Sequence, residues 1–187
     1  MTLMKDGPIP TFNKTIRSVL VKSIQETTCL YGIGVQDEAQ IVRKSLSISG
    51  DYLAGIRVSG ASFQGAVTLS MDKCIAKSFA DNIFASMPAK ADDSMLCDLV
   101  GEVCNQITRA FLREMGALGC KLKVNAQETS LGQTSFESGS NPDEWLMIPF
   151  VFENGRAVLA FGFVGELGLG SEDSTQALSD INNITFF

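Results

Sequence analysis

Apolar residues recur between Asn13 and Thr28 at the spacing of a single helical stripe: Ile16, Val19, Leu20 and Ile24, with Lys14, Arg17 and Lys22 turned elsewhere. Thr11 or Asn13 has the side chain to cap such a helix. From Ile41 to Ser70 the texture changes to short β-prone runs, Leu46-Ser-Ile48, Gly55-Ile-Arg-Val58 and Gly65-Ala-Val-Thr-Leu69. Ser49-Gly50-Asp51 and Ser59-Gly60 between them read as turns, which predicts an antiparallel meander. A second helix is expected to open at Ser70 or Asp72 and to carry Ile75, Phe79, Ile83 and Phe84 inward until Met87-Pro88, where proline forbids continuation.

After a polar hinge, Ala89 to Asp93, a third helix runs from about Ser94 to Met115 and is ended by Gly116 and Gly119. A strand over Leu122 to Ala126 follows, and then a polar stretch, Gln127 to Asp143, whose Ser, Thr and Gly content predicts a loop. Trp145 to Phe152 and Arg156 to Val164 flank Glu153-Asn154-Gly155, and Asn-Gly between β-prone runs marks a tight hairpin. The order helix, strands, helix, helix, strands lacks the βαβ rhythm of parallel sheets. It predicts an α+β fold, a mostly antiparallel β-sheet with long helices packed on one face. One domain spans residues 1–187, its core at about 13–165 and a C-terminal extension at about 166–187.

The third helix has two unlike sides. At ~100° per residue, Leu96, Leu99, Val100, Val103, Ile107, Ala110 and Phe111 form a broad core face. Opposite them Asp98, Glu102, Asn105 and Arg109 stand at i, i+4, i+7 and i+11, one above another on a ridge. Gly101 lies beside it, and a mid-helix glycine, about 1 kcal/mol worse than alanine, has a use where another backbone approaches. Taken alone, such a line of polar residues is an ordinary solvated face.

Composition narrows the chemistry. The 187 residues contain no histidine, which removes Ser-His and Cys-His nucleophiles and imidazole metal ligands. The formal charge is −6 with lysines and arginines scattered singly, so no basic stripe offers itself to nucleic acid. No apolar run is long enough for a membrane span and the N-terminus does not read as a secretion signal, so a cytoplasmic protein is expected. The five cysteines form no CxxC pair and read as reduced; Cys97 and Cys104 fall near the edge of the apolar face of the third helix.

Asp98-Leu-Val-Gly-Glu102-Val-Cys-Asn105 resembles the Asp/Ser-x3-Glu-x2-Asn pattern that marks the active helix of the CheC and CheX chemotaxis phosphatases. The resemblance runs over roughly residues 13–165 and is of the single-site, CheX-like kind. It implies a CheC/CheX-like fold and a phosphatase acting on the aspartyl phosphate of a CheY-like response regulator. It also implies that the chain binds no cofactor of its own and that the partner's receiver domain supplies Mg²⁺. In that family pattern Asn105 positions the attacking water, Glu102 pairs with the receiver's lysine and Asp98 helps orient the site or the partner. Gly101, beside the ridge, and Arg109, which extends it toward an acidic group of the receiver, are assigned with Asp98 to partner binding. Gln106, about 100° around the helix, ranks below Asn105 as a holder of water. Homodimers through sheet edges accompany the resemblance too. Leu122 to Ala126 lacks the proline common in the family after the active helix, and Gln106-Ile-Thr-Arg-Ala-Phe111 replaces small residues. An alternative therefore stays open, a CheX-like docking module that binds a receiver or scaffold partner without catalysis.

Overall fold

Seven strands and three helices make up the computed structural model, which describes residues 14–33, 36–37, 41–43, 48–84, 91–131, 142, 144–152 and 155–165. In chain order they are α1 (Lys14–Leu30), β1 (Gln36–Asp37), β2 (Ile41–Arg43), β3 (Tyr52–Ser59), β4 (Phe63–Met71), α2 (Lys73–Ile83), α3 (Asp93–Ala117), β5 (Lys123–Leu131), β6 (Trp145–Phe152) and β7 (Gly155–Gly165). The strands form one sheet in the order β1-β6-β7-β4-β3-β5, with β2 also on β6, and every pair is antiparallel. This is the α+β architecture expected.

Alternation along each strand puts one set of side chains on a common face. Tyr52, Ala54, Ile56 and Val58 of β3 are buried together with Val67, Leu69 and Met71 of β4 and Leu159 and Phe161 of β7. The same cluster takes Ile16, Leu20 and Ile24 of α1, Ile75 and Phe79 of α2, and the apolar side of α3. Helix α3 rests on β3, β4 and β5, α2 reaches β7, and α1 lies along α3. A smaller cluster, Ala66, Trp145 and Ala160, forms apart from this core.

The helix ends follow local chemistry. Asp92 caps α3, its carboxylate accepting the N–H of Met95 at 2.9 Å. Asp72 is the N-cap of α2 but spends its carboxylate on the N–H of Arg156 (2.9 Å); the first N–H of α2, on Lys73, goes instead to Asp51 at 2.7 Å. Helices α1 and α3 both end in Schellman turns. Gly32 (φ 70°) and Gly119 (φ 89°) take the left-handed position, and Ile33 N–H to Thr28 C=O (3.0 Å) and Cys120 N–H to Met115 C=O (2.9 Å) close the turns.

Three expectations need correction. Residues 127–131 are not loop: β5 runs on to Leu131 because its backbone pairs with β3 as far as Tyr52. Helix α2 ends at Ile83, ahead of the Met87-Pro88 stop, which lies outside the described residues. Ile48 is not in a strand, and Leu46 and Ser47 lie outside the described residues, as do Thr11, Asn13, Glu153, Asn154 and the extension from residue 166.

Candidate functional site

The core side of α3 is as the periodicity predicts: Leu96, Leu99, Val100, Val103, Ile107, Ala110 and Phe111 are all buried. Cys104 is no edge residue. It is fully buried with its thiol directed at the carbonyls of Ala54 (3.9 Å) and Val67 (4.0 Å), and desolvation pushes its pKa up to about 12. A thiol so held stays protonated at neutral pH and behaves as a small apolar group.

On the opposite side Asp98, Glu102 and Arg109 are exposed and Asn105 and Gln106 are half-buried. Four of these side chains are joined. Arg109 Nε donates to Asn105 Oδ1 (3.2 Å), and Asn105 Nδ2 donates to Glu102 Oε2 (3.3 Å). Gln106 Nε2 donates to the other carboxylate oxygen, Oε1, at 2.7 Å. The structure thus places Glu102, Asn105 and Arg109 together as the sequence spacing requires, and adds Gln106 as a second amide on Glu102. Gly101 does not share the exposed ridge, because it is among the buried residues of α3.

Two neighbouring elements frame the ridge. Lys22 of α1 pairs with Glu114 of α3 at 2.9 Å, and Arg113 pairs with Glu26 at 2.8 Å, so α1 is fixed alongside α3 below the site. At the end of α1 the Schellman turn delivers Tyr31, which sequence reasoning did not single out. Its ring packs on Phe79 of α2 (centroids 5.3 Å apart), and its carbonyl accepts the side-chain N–H of Asn82 at 3.0 Å. Burial, and then the negative charge of Glu102, raise its phenol above the ordinary tyrosine range, which puts the hydroxyl end within the field of the ridge. The signal was present in Tyr31-Gly32-Ile33, a glycine followed by an apolar residue just past a helical stripe.

At the N-terminal end of α3, Tyr52 OH donates to Asp93 Oδ1 at 2.9 Å, and Lys73 Nζ pairs with the same oxygen at 2.6 Å. Lys73 first and Tyr52 second hold the Asp93 carboxyl below the usual carboxylate range. One oxygen thereby ties the starts of β3, α2 and α3. Among the described residues no group of three or more His, Cys, Asp or Glu side chains gathers as a metal-holding cluster. Among them, too, no helix is long and apolar enough to cross a membrane.

An exposed carboxylate and an amide one turn apart on a rigid helix can receive an ammonium and orient a water. The α+β fold that carries them is that of solved CheC-like and CheX structures. A CheC-like superfamily protein from Shewanella sp. PV-4 superposes with a TM-score of 0.72 at 17% identity, covering 82% of this chain and 100% of that one. CheX from Desulfovibrio desulfuricans gives 0.70 at 18% identity, covering 80% and 99%. CheX in the CheX–CheY–BeF3–Mg²⁺ complex from Borrelia burgdorferi gives 0.59 at 17% identity, covering 80% and 96%. No curated protein sequence matches the chain. The family model for chemotaxis phosphatase CheX matches residues 52–131, which include β3 to β5 and the whole of the ridge. The segment from β3 to β5 thus matches the chemotaxis phosphatase CheX model, and the fold as a whole is that of CheC-like and CheX structures.

Proposed function

We propose that this protein docks the α3 ridge against a phosphorylated CheY-like receiver domain and speeds hydrolysis of its aspartyl phosphate. The observation that carries the reading is the bonded Glu102–Asn105 pair, exposed on a helix whose other side is core, inside the segment that matches the chemotaxis phosphatase family. A CheX-like neighbour occurs in complex with CheY, BeF3 and Mg²⁺, and BeF3 is a tetrahedral stand-in for a phosphoryl group.

The reaction asks little covalent chemistry of the helper. Water attacks phosphorus, the bond from phosphorus to the aspartyl oxygen breaks, and inorganic phosphate leaves the regenerated carboxylate. In this reading Mg²⁺ stays on the receiver. Glu102 takes the ammonium of a receiver lysine and so fixes the docked orientation, and Asp98 adds a second acidic contact at the end of the ridge. Asn105, carrying a donor and an acceptor at fixed separation, holds the water in line.

The test is phosphate release from phosphorylated receiver domains with wild type, Asn105→Ala and Glu102→Ala. The expected result is acceleration by the wild type, with Asn105→Ala losing on the order of 100-fold in kcat, as misplaced reactants do. Glu102→Ala is expected to act mainly on KM. Receiver binding without any acceleration by the wild type would sink the phosphatase reading and leave a docking module.

A further inference from the structure

The sequence pattern gives Arg109 to the partner, but its bonds within the free chain give it a different task. Asn105 stands between a guanidinium, which can only donate, and an ionised carboxylate, which can only accept. Rotating its amide by half a turn would set nitrogen against nitrogen and oxygen against oxygen. The two flanking charges therefore select one of the two orientations that the broad, roughly two-fold χ2 of an asparagine otherwise allows. Gln106 completes the arrangement by occupying the second oxygen of Glu102.

We propose that Arg109 is a positioning residue that presets the Asn105 amide, its bond to Oδ1 persisting when Glu102 is drawn away to the partner. The catalytic consequence rests on the phosphatase reading; the preset orientation is a property of the chain by itself. On docking, Glu102 exchanges the Asn105 and Gln106 amides for an ammonium, and Nδ2 of Asn105 is set free. Arg109 still anchors Oδ1 through one lone pair, which leaves the other lone pair and the Nδ2–H groups for a water. Without Arg109 the amide is released at both ends at the moment when its direction matters.

The experiment pairs steady-state dephosphorylation of a phosphorylated receiver with NMR of the Asn105 side-chain NH2 in the free protein, for wild type, Arg109→Ala and Arg109→Lys. Arg109→Ala is expected to lower kcat about 2- to 10-fold, the span of one net hydrogen bond, with KM unchanged. Arg109→Lys, again an obligate donor, is expected to recover most of that loss. The Asn105 NH2 pair is expected to lose its heteronuclear NOE in Arg109→Ala and to regain it in Arg109→Lys. A raised KM with unchanged kcat would make Arg109 a partner contact and overturn the proposal. So would Asn105 NH2 signals that do not respond to Arg109→Ala. If the wild type accelerates nothing, the phosphatase reading falls, and the NMR comparison still decides whether Arg109 presets the amide.

Discussion

Truncating Phe111 tests the seat on which the ridge depends. Its ring is fully buried on the core side of α3 and meets Phe161 of β7 edge-on, with centroids 5.1 Å apart. Phe111→Ala removes a ring worth about 2 kcal/mol of transfer free energy and opens a void of about 100 Å³, which at about 24 cal/mol per Å³ adds about 2.4 kcal/mol. The sum, about 4 kcal/mol, is a large part of the 5–15 kcal/mol that holds an average domain folded. With a urea slope of about 2 kcal/mol/M, the unfolding midpoint should fall by about 2 M. A cycle with Phe161→Leu isolates the aromatic contact, for which a coupling of about 0.5–1.5 kcal/mol is expected. A loss under about 1 kcal/mol for Phe111→Ala would refute the packing of α3 described here, and zero coupling would refute the edge-on contact.

The two tyrosines supply the remaining predictions. Burial, and then the hydrogen bond to Asp93, carry Tyr52 far above the ordinary tyrosine range, so the tyrosinate absorbance of the folded protein should report Tyr31 first; Glu102→Gln removes a charge that raises Tyr31 and should lower that first midpoint. An unchanged midpoint would separate Tyr31 from the ridge. Because the folded pKa of Tyr52 lies above its unfolded value near 10, its contribution is intact below pH 10 and drains away as pH rises toward the folded pKa. Denaturant unfolding between pH 9 and 11 should therefore show wild type losing stability more steeply than Tyr52→Phe, and parallel slopes would contradict the buried phenol.

The helices were legible because a stripe at 3.6-residue spacing is a local signal, and the ridge was legible because the same spacing that buries Leu96 to Phe111 turns Asp98, Glu102, Asn105 and Arg109 outward. What the residues concealed was set by distant partners. Gln127-Glu-Thr-Ser130 has loop composition yet extends β5 as an edge strand, since β3 supplies its hydrogen bonds from Ser59 back to Tyr52. Strands β1 and β2, two and three residues long, exist only through pairing with β6 and carry no periodicity of their own. Tyr31 meets the field of Glu102 across a fold that brings the end of α1 to the middle of α3, which no window along the chain spans. Cys104 looked peripheral because an ideal wheel has no sheet beneath it; β3 and β4 close over the thiol.

The site divides its requirements between forces of different size. Each ridge residue is flanked by buried ones, Val103 and Cys104 before Asn105, Thr108 and Ala110 on either side of Arg109. Turning α3 by one residue would drive Glu102 toward the position of Val103, and an unpaired carboxylate in a core costs several kcal/mol. The direction of the ridge is thus held by the whole core, and only substitutions that threaten folding can move it. The direction of the Asn105 amide is held by exposed hydrogen bonds of about 1 kcal/mol each, weak enough to be exchanged when a partner arrives. Core substitutions should accordingly change how much protein is folded while leaving kcat per folded molecule alone. Substitutions at Asn105 and Arg109 should leave folding alone and lower kcat, and at Glu102 should leave folding alone and act mainly on KM, and that separation marks the ridge as a working surface and not a solvated face.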